Sequence, residues 1–140
     1  MRIAAFGDIH GNIFALEAVL ADLRPHRPDA IVVFGDMVYK FPWGAAVMDL
    51  LATVPHQALI GNSELYMLLW GTSLWPADLW NMPTAQEAVR WERERLGPQR
   101  LARLAALPER IAFSASRADD LLFVHGAPGN PFLPLLARPG

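Results

Sequence analysis

The chain of 140 residues contains no cysteine, which excludes disulfide scaffolds, thiolate zinc sites, iron–sulfur clusters and cysteine nucleophiles together. It has no positive excess either. Twelve Lys and Arg against 14 Asp and Glu give a formal net charge of −2, which removes the electrostatic case for a nucleic-acid duplex or a membrane surface as partner. No apolar run reaches the ~20 residues that cross a bilayer; the longest, residues 65–77, is broken by Gly71 and Pro76. Asp8 comes too early for the ~7–15-residue apolar core of a secretory signal to precede it, and a cytoplasmic protein is the expectation. Gly-x-x-x-x-Gly-Lys-Ser/Thr is absent, as is Gly-x-Gly-x-x-Gly after a strand, so ATPase and dinucleotide-oxidoreductase readings lack their phosphate cradles.

What is present suits one globular domain over residues 1–140, with 53% apolar and 19% charged residues. Short apolar runs at 2–6, 30–34 and 57–60 each end at a glycine and read as buried strands. Between the first two, Asn12 can cap a helix that Pro25 stops at Arg24. Strand, helix, strand implies a parallel pair with a right-handed crossover. Residues 43–53, 63–70, 84–96 and 98–107 read as helices, and 71–83 as irregular. Residues 110–115 and 121–124 read as strands joined by a turn at 116–120, and the breaker-rich segment 126–140 as a loop.

The ends of these strands carry the chemistry. Asp8 and His10 follow the first, Asp36 the second, Asn62 the third and His125 the last. Side chains two apart on extended backbone point the same way, so Asp8 and His10 can share a target. The carboxyl ends of strands in an open parallel sheet line one crevice, and two Asp, one Asn and two His delivered there form a metal-ligand set. Oxygen and imidazole ligands without thiolate suit Mn²⁺, Fe or Zn²⁺, and Asp36 could bridge two ions through its two oxygens. Any one of these residues taken alone is more often an ordinary turn; their joint placement beside glycines 7, 35, 61 and 126 is what separates them from that reading.

The segments Gly7-Asp8-Ile9-His10-Gly11-Asn12, Gly35-Asp36, Gly61-Asn62-Ser63-Glu64 and Val124-His125-Gly126 closely resemble the ordered motifs of the calcineurin-like metallophosphoesterases, in particular their compact bacterial phosphodiesterase-like members. The resemblance runs the length of the chain. It implies an α/β fold, a two-sheet α/β/β/α sandwich, with two divalent ions. Asp8 and His10 would hold the first ion, Asp36 would bridge, and Asn62 and His125 would hold the second. It implies hydrolysis of a small phosphorylated substrate, a phosphate mono- or diester, by a metal-bridging hydroxide, with Asp36, Asn62 and Ser63 catalytic and Asn12 and Asn62 beside the substrate. Asn12 serves equally well as the helix cap, which is the preferred reading.

Two departures from the family pattern bear on activity. Ser63 stands where the family has His, and a hydroxyl is a poor proton donor near neutral pH. The Gly-His-x-His segment that follows the His-Gly motif in the family is not in these 140 residues; the expectation is that the last strands are missing and that each ion keeps three protein ligands. The rival reading is a catalytically silent protein-binding module of the same fold. A haloacid-dehalogenase-like phosphatase fits worse, because it expects a second Asp where His10 stands.

Trp70, Trp75 and Trp80 read as a local apolar cluster, with a homo-oligomer contact or a substrate lid as alternatives. An exposed strand edge is the other place for a homo-oligomer contact. Arg90 and Glu94 sit one turn apart on a solvated helix face. His26 and His56 read as surface residues.

Overall fold

The computed structural model describes residues 1–114 and 120–133. Three parallel strands, β1 (Ile3–Phe6), β2 (Ala30–Val33) and β3 (Gln57–Ala58), form one sheet in that order. Ile3 pairs with Ala30 and Phe6 with Val33. β4 (Arg110–Ser114) and β5 (Asp120–Val124) form a separate antiparallel pair. The turn expected at 116–120 falls on residues outside the described ones, apart from Asp120, which belongs to β5.

Between β1 and β2 runs α1 (Ile13–His26), whose cap is the Asn12 side chain accepting the Ala15 N–H at 3.0 Å. The helix carries Pro25 and ends beyond it, where Arg27 turns left-handed at φ 46°. The expected stop at Arg24 is therefore two residues early. A proline near a helix end costs one hydrogen bond at most, and a left-handed residue is the stronger terminator. The other helices are α2 (Gly44–Leu51), α3 (Asn62–Leu69), α4 (Ala77–Trp80) and α5 (Pro83–Ala105). α4 corrects the irregular reading of 71–83. α5 joins the two expected helices and is interrupted at Gly97, with φ 66° and ψ 173°.

Alternation along the strands sorts two apolar layers. Val33 faces the helices with Leu16, Val47, Leu51, Met67, Val89 and Leu96, whereas Val32 faces the second sheet with Leu59 and Ile111. Helices, parallel sheet and second sheet thus stack in that order. Trp70, Trp75 and Trp80 pack against one another with centroids 4.8–6.2 Å apart. Trp75 is buried and donates Nε1–H to the Tyr66 carbonyl at 3.1 Å, so the local-cluster reading holds for this segment. Arg100 of α5 donates two hydrogen bonds to Asp49 of α2, at 2.9 and 2.5 Å. No described helix is long and apolar enough to cross a membrane.

Candidate metal centre

Asp8, His10 and Asp36 all have left-handed backbone, with φ of 54°, 51° and 53°. The expectation that Asp8 and His10 share a target by strand alternation is therefore corrected. They converge through a turn after β1, locked to the turn after β2 by Asp8 N–H to the Gly35 carbonyl at 3.1 Å and His10 N–H to the Asp36 carbonyl at 2.7 Å. Left-handed Asp is tolerated better than most residues but still costs about 1–2 kcal/mol. The surrounding bonds hold it there.

One residue that sequence reasoning passed over does most of this holding. Glu64, fully buried, accepts the N–H groups of Asp36 (2.8 Å), Met37 (2.7 Å), Val38 (3.3 Å) and Gly61 (2.8 Å). Burial, then the charge of Asp36, pushes the Glu64 carboxyl up, while the N–H groups of Gly61, Asp36 and Met37 pull it back. The sequence signal was available: an acidic residue three positions after a helix N-cap reaches back to the N-cap N–H, as Glu64 does to Gly61. Glycine is required at two neighbours of this clamp. A Cβ on Gly61 would lie 2.3 Å from Asp36 Oδ1, and one on Gly35, at φ 87°, would lie 2.6 Å from the Gly61 nitrogen.

Asp36 is thereby presented with its oxygens toward two imidazoles. Oδ2 lies 3.5 Å from His10 Nε2, which is also 3.5 Å from Asp8 Oδ1. Oδ1 lies 3.6 Å from His125 Nε2 and accepts the Ser63 N–H at 2.8 Å. His125 arrives from the second sheet, not from the parallel one, and its Nδ1–H donates to the Phe34 carbonyl at 2.8 Å. With Nδ1 committed to that carbonyl, Nε2 is the ring nitrogen that faces Asn62 Oδ1, at 2.9 Å. The Asn62 amide is oriented by its Nδ2–H, which donates to Tyr66 Oη at 3.1 Å. An imidazole nitrogen, an amide oxygen and a carboxylate oxygen thus face one another, a set of atoms of the kinds that ligate a shared cation. The residues fit a divalent ion on the chemistry of their donors. On the other side, Asp8, His10 and Asp36 offer ligand atoms within 4.8 Å of one another, a group able to hold a metal ion.

Ser63 is fully buried, and its Oγ lies 3.5 Å from His10 Nδ1, on the ring edge turned away from the carboxylates. Asn12 spends its Oδ1 on the helix cap and also lines a cavity of about 190 Å³ beside Asp8, His10 and Phe41. His26 is exposed beside Asp22, and half-buried His56 bonds the Val54 carbonyl; neither approaches the cluster. A cavity of about 570 Å³ lies between α1 and α2 near Asp29 and Ala30. It sits at the opposite end of β2 from Asp36 and contains none of these ligands.

A three-layer α/β fold with a carboxylate between two imidazoles is the build of a metallophosphoesterase, and the calcineurin-like phosphoesterase family model matches residues 1–133. The chain belongs to that family. Among solved structures it is similar to a metallophosphoesterase from Sphaerobacter thermophilus (29% identity, TM-score 0.73, 97% of this chain and 51% of that one). It is also similar to the hypothetical protein PH1004 from Pyrococcus horikoshii OT3 (21%, TM-score 0.78, 99% and 60%) and to a candidate diadenosine tetraphosphatase (22%, TM-score 0.61, 94% and 58%). The chain spans between half and three fifths of the length of these three proteins. No curated protein matches it.

Proposed function

We propose that this chain carries the metal centre of a divalent-cation-dependent phosphoesterase acting on phosphate mono- or diesters. The observation that carries the reading is the two-sided presentation of Asp36, with one oxygen toward His10 and Asp8 and the other toward His125 and Asn62. Asp8, His10 and Asp36 would hold one ion, and Asp36, Asn62 and His125 the other, with Mn²⁺, Fe or Zn²⁺ suited to these ligands. Such ions, when bound, polarise phosphoryl oxygens and make water a competent nucleophile near neutral pH.

The chain's own residues supply the order in this reading. Glu64 fixes the turn that aims Asp36, Phe34 fixes the tautomer of His125, and the Ser63 N–H steadies one oxygen of the bridging carboxylate. Buried Ser63 fits orienting the His10 ring better than giving a proton to a leaving group. Loss of a group that orients a ligand in this way typically changes metal affinity or activity by about 10–100-fold.

The test is calorimetric titration of the chain and of Asp36→Ala with Mn²⁺, followed by hydrolysis of an activated aryl phosphate ester. Uptake of Mn²⁺ by the native chain alone, with turnover that depends on it, is expected. No uptake by the native chain refutes the proposal and leaves the silent protein-binding module.

A further inference from the structure

Beside the candidate ion ligands the fold leaves an apolar space unfilled. The cavity of about 190 Å³ next to Asp8, His10 and Asn12 is walled by Phe6, Leu16, Val19 and Phe41. Phe6 and Leu16 belong to the helix-side core, whereas Val19 and Phe41 are 37% and 48% exposed and form the outer wall. Single exposed apolar residues are ordinary on a protein surface. Here two of them line one cavity together with Asp8 and His10, two members of the group able to hold an ion. Asn12 spends its Oδ1 on the cap of α1, so what its amide offers to a guest is the pair of Nδ2 hydrogens.

The outer wall is held by its backbone. The Phe41 N–H donates to the His10 carbonyl at 2.9 Å, and the Phe41 carbonyl oxygen sits over Gly11, where a Cβ would lie 2.3 Å from it. Just before it, Tyr39 and Lys40 are consecutive non-glycine residues at φ 72° and 75°, a conformation that persists only where surroundings enforce it. The Tyr39 N–H donates to the buried Glu92 carboxylate, and the Tyr39 ring meets Tyr66 edge-on at 5.8 Å. Lys40 is turned over His10, with Nζ 3.0 Å from Nε2. Phe41 is therefore set beside Asp8 before any ligand arrives, and a preformed wall costs little ordering when it is occupied.

We propose that this cavity receives the ester group of the substrate and selects a single aromatic ring. The inference deepens the phosphoesterase reading and rests on it. Size decides the class. A cavity of about 150 Å³ is enough to hold benzene, and pockets for drug-sized molecules begin near about 300 Å³. The present cavity, about 190 Å³, has room for one ring and falls short of a nucleoside. Its chemistry agrees with its size: among the described residues, no lining side chain other than Asp8, His10 and Asn12 carries a hydrogen-bonding group for sugar hydroxyls or base edges. Phe41 supplies an aromatic partner for the guest ring. The two halves of an aryl phosphate fall on adjoining surfaces, because Asp8 and His10 belong both to the ion-holding group and to the cavity wall.

Phosphonates carry the test without hydrolysis, since a carbon–phosphorus bond replaces the ester bond. Methylphosphonate, phenylphosphonate and naphthylphosphonate are titrated calorimetrically into the chain with Zn²⁺, which is diamagnetic, while the ¹³C-methyl signals of Val19 are followed by NMR and assigned by their disappearance in Val19→Phe. Phenylphosphonate should bind about tenfold more tightly than methylphosphonate, the gain that enclosing part of one ring implies, and should shift the Val19 signals by its ring current. Naphthylphosphonate should show no such gain. Val19→Phe, which fills the cavity from its exposed rim, and Phe41→Ala, which removes a wall, should each bring the phenyl-to-methyl ratio within about twofold of one. Because a ratio is read, a loss of folding or of ion affinity that weakens both ligands alike does not imitate this result. A native phenyl-to-methyl ratio under about twofold, a ratio unmoved in both variants, or naphthylphosphonate bound as tightly as phenylphosphonate overturns the proposal. Failure of the phosphoesterase reading looks different: no ion uptake and no binding of any phosphonate, and the cavity proposal falls with it.

Discussion

Glu64→Gln preserves the outline of the side chain and alters only what its two ends can accept. In the native chain one oxygen takes the N–H groups of Met37 and Val38, and the other those of Asp36 and Gly61. A glutamine satisfies one of these pairs with its carbonyl and presents N–H₂ to the other. Two buried donors left unpaired cost about 1–3 kcal/mol each, and removing a charge beside Asp36 offsets part of that, so a net loss of about 2–4 kcal/mol is expected. Against a typical total of about 5–15 kcal/mol this is a large fraction, and at roughly 3 °C per kcal/mol it lowers Tm by about 6–12 °C.

Protonation does not rescue the variant, because a protonated carboxyl keeps a lone pair on each oxygen and an amide nitrogen has none to offer. The sign of the pH dependence follows from the raised Glu64 carboxyl, whose ordinary value is 4.5. A raised folded-state value stabilises fully below the ordinary one, and that contribution fades as pH rises through the folded-state value. Native and variant should therefore differ most near pH 4.5 and below, with the gap narrowing as pH rises. Urea unfolding followed by far-ultraviolet circular dichroism across pH 4–8 measures this directly. A loss under about 1 kcal/mol, or a gap that widens with rising pH, would refute the account of Glu64 as the clamp on Asp36.

Gly61→Ala has an allowed backbone conformation but drives a methyl into Asp36, so it should cost about 1–3 kcal/mol and weaken Mn²⁺ uptake in calorimetry by more than the stability loss alone explains. Arg100→Ala breaks an exposed pair and should cost less than about 1 kcal/mol. Because Arg100 holds the Asp49 carboxyl below its ordinary 3.8, that small difference should be present at neutral pH and vanish as pH falls below 3.8 through the lowered value, read from paired melts. Trp75→Ala removes the buried centre of the tryptophan cluster and orphans the Tyr66 carbonyl; a loss of about 3–5 kcal/mol is expected, accompanied by a red-shifted fluorescence spectrum as Trp70 and Trp80 gain solvent.

The strands, most helices and the residues gathered around Asp36 were legible because each rests on a local rule. Apolar runs closed by glycine marked β1, β2 and β3, Asn12 announced its helix, and the candidate ligand side chains stood at the strand ends in family order. Residues acting through distant partners were not legible. Glu64 reads as one more acid until the turn at Asp36 folds onto it, and Lys40 reads as a loop lysine until two left-handed residues bring it over His10. α4 hid among prolines and tryptophans whose spacing has no helical period.

The amino-acid order alone determined which groups are available to bind a cation and on which side of each strand the apolar residues fall, since both follow from residue chemistry and from a period of two. Tertiary structure decided that His125 meets Asp36, because β5 lies in a different sheet and only the packing of Val32 and Leu59 against Ile111 sets the distance between the two sheets. It also decided the orientation of Asp36 itself, which depends on backbone N–H groups that every sequence carries and only a fold can point at one carboxylate.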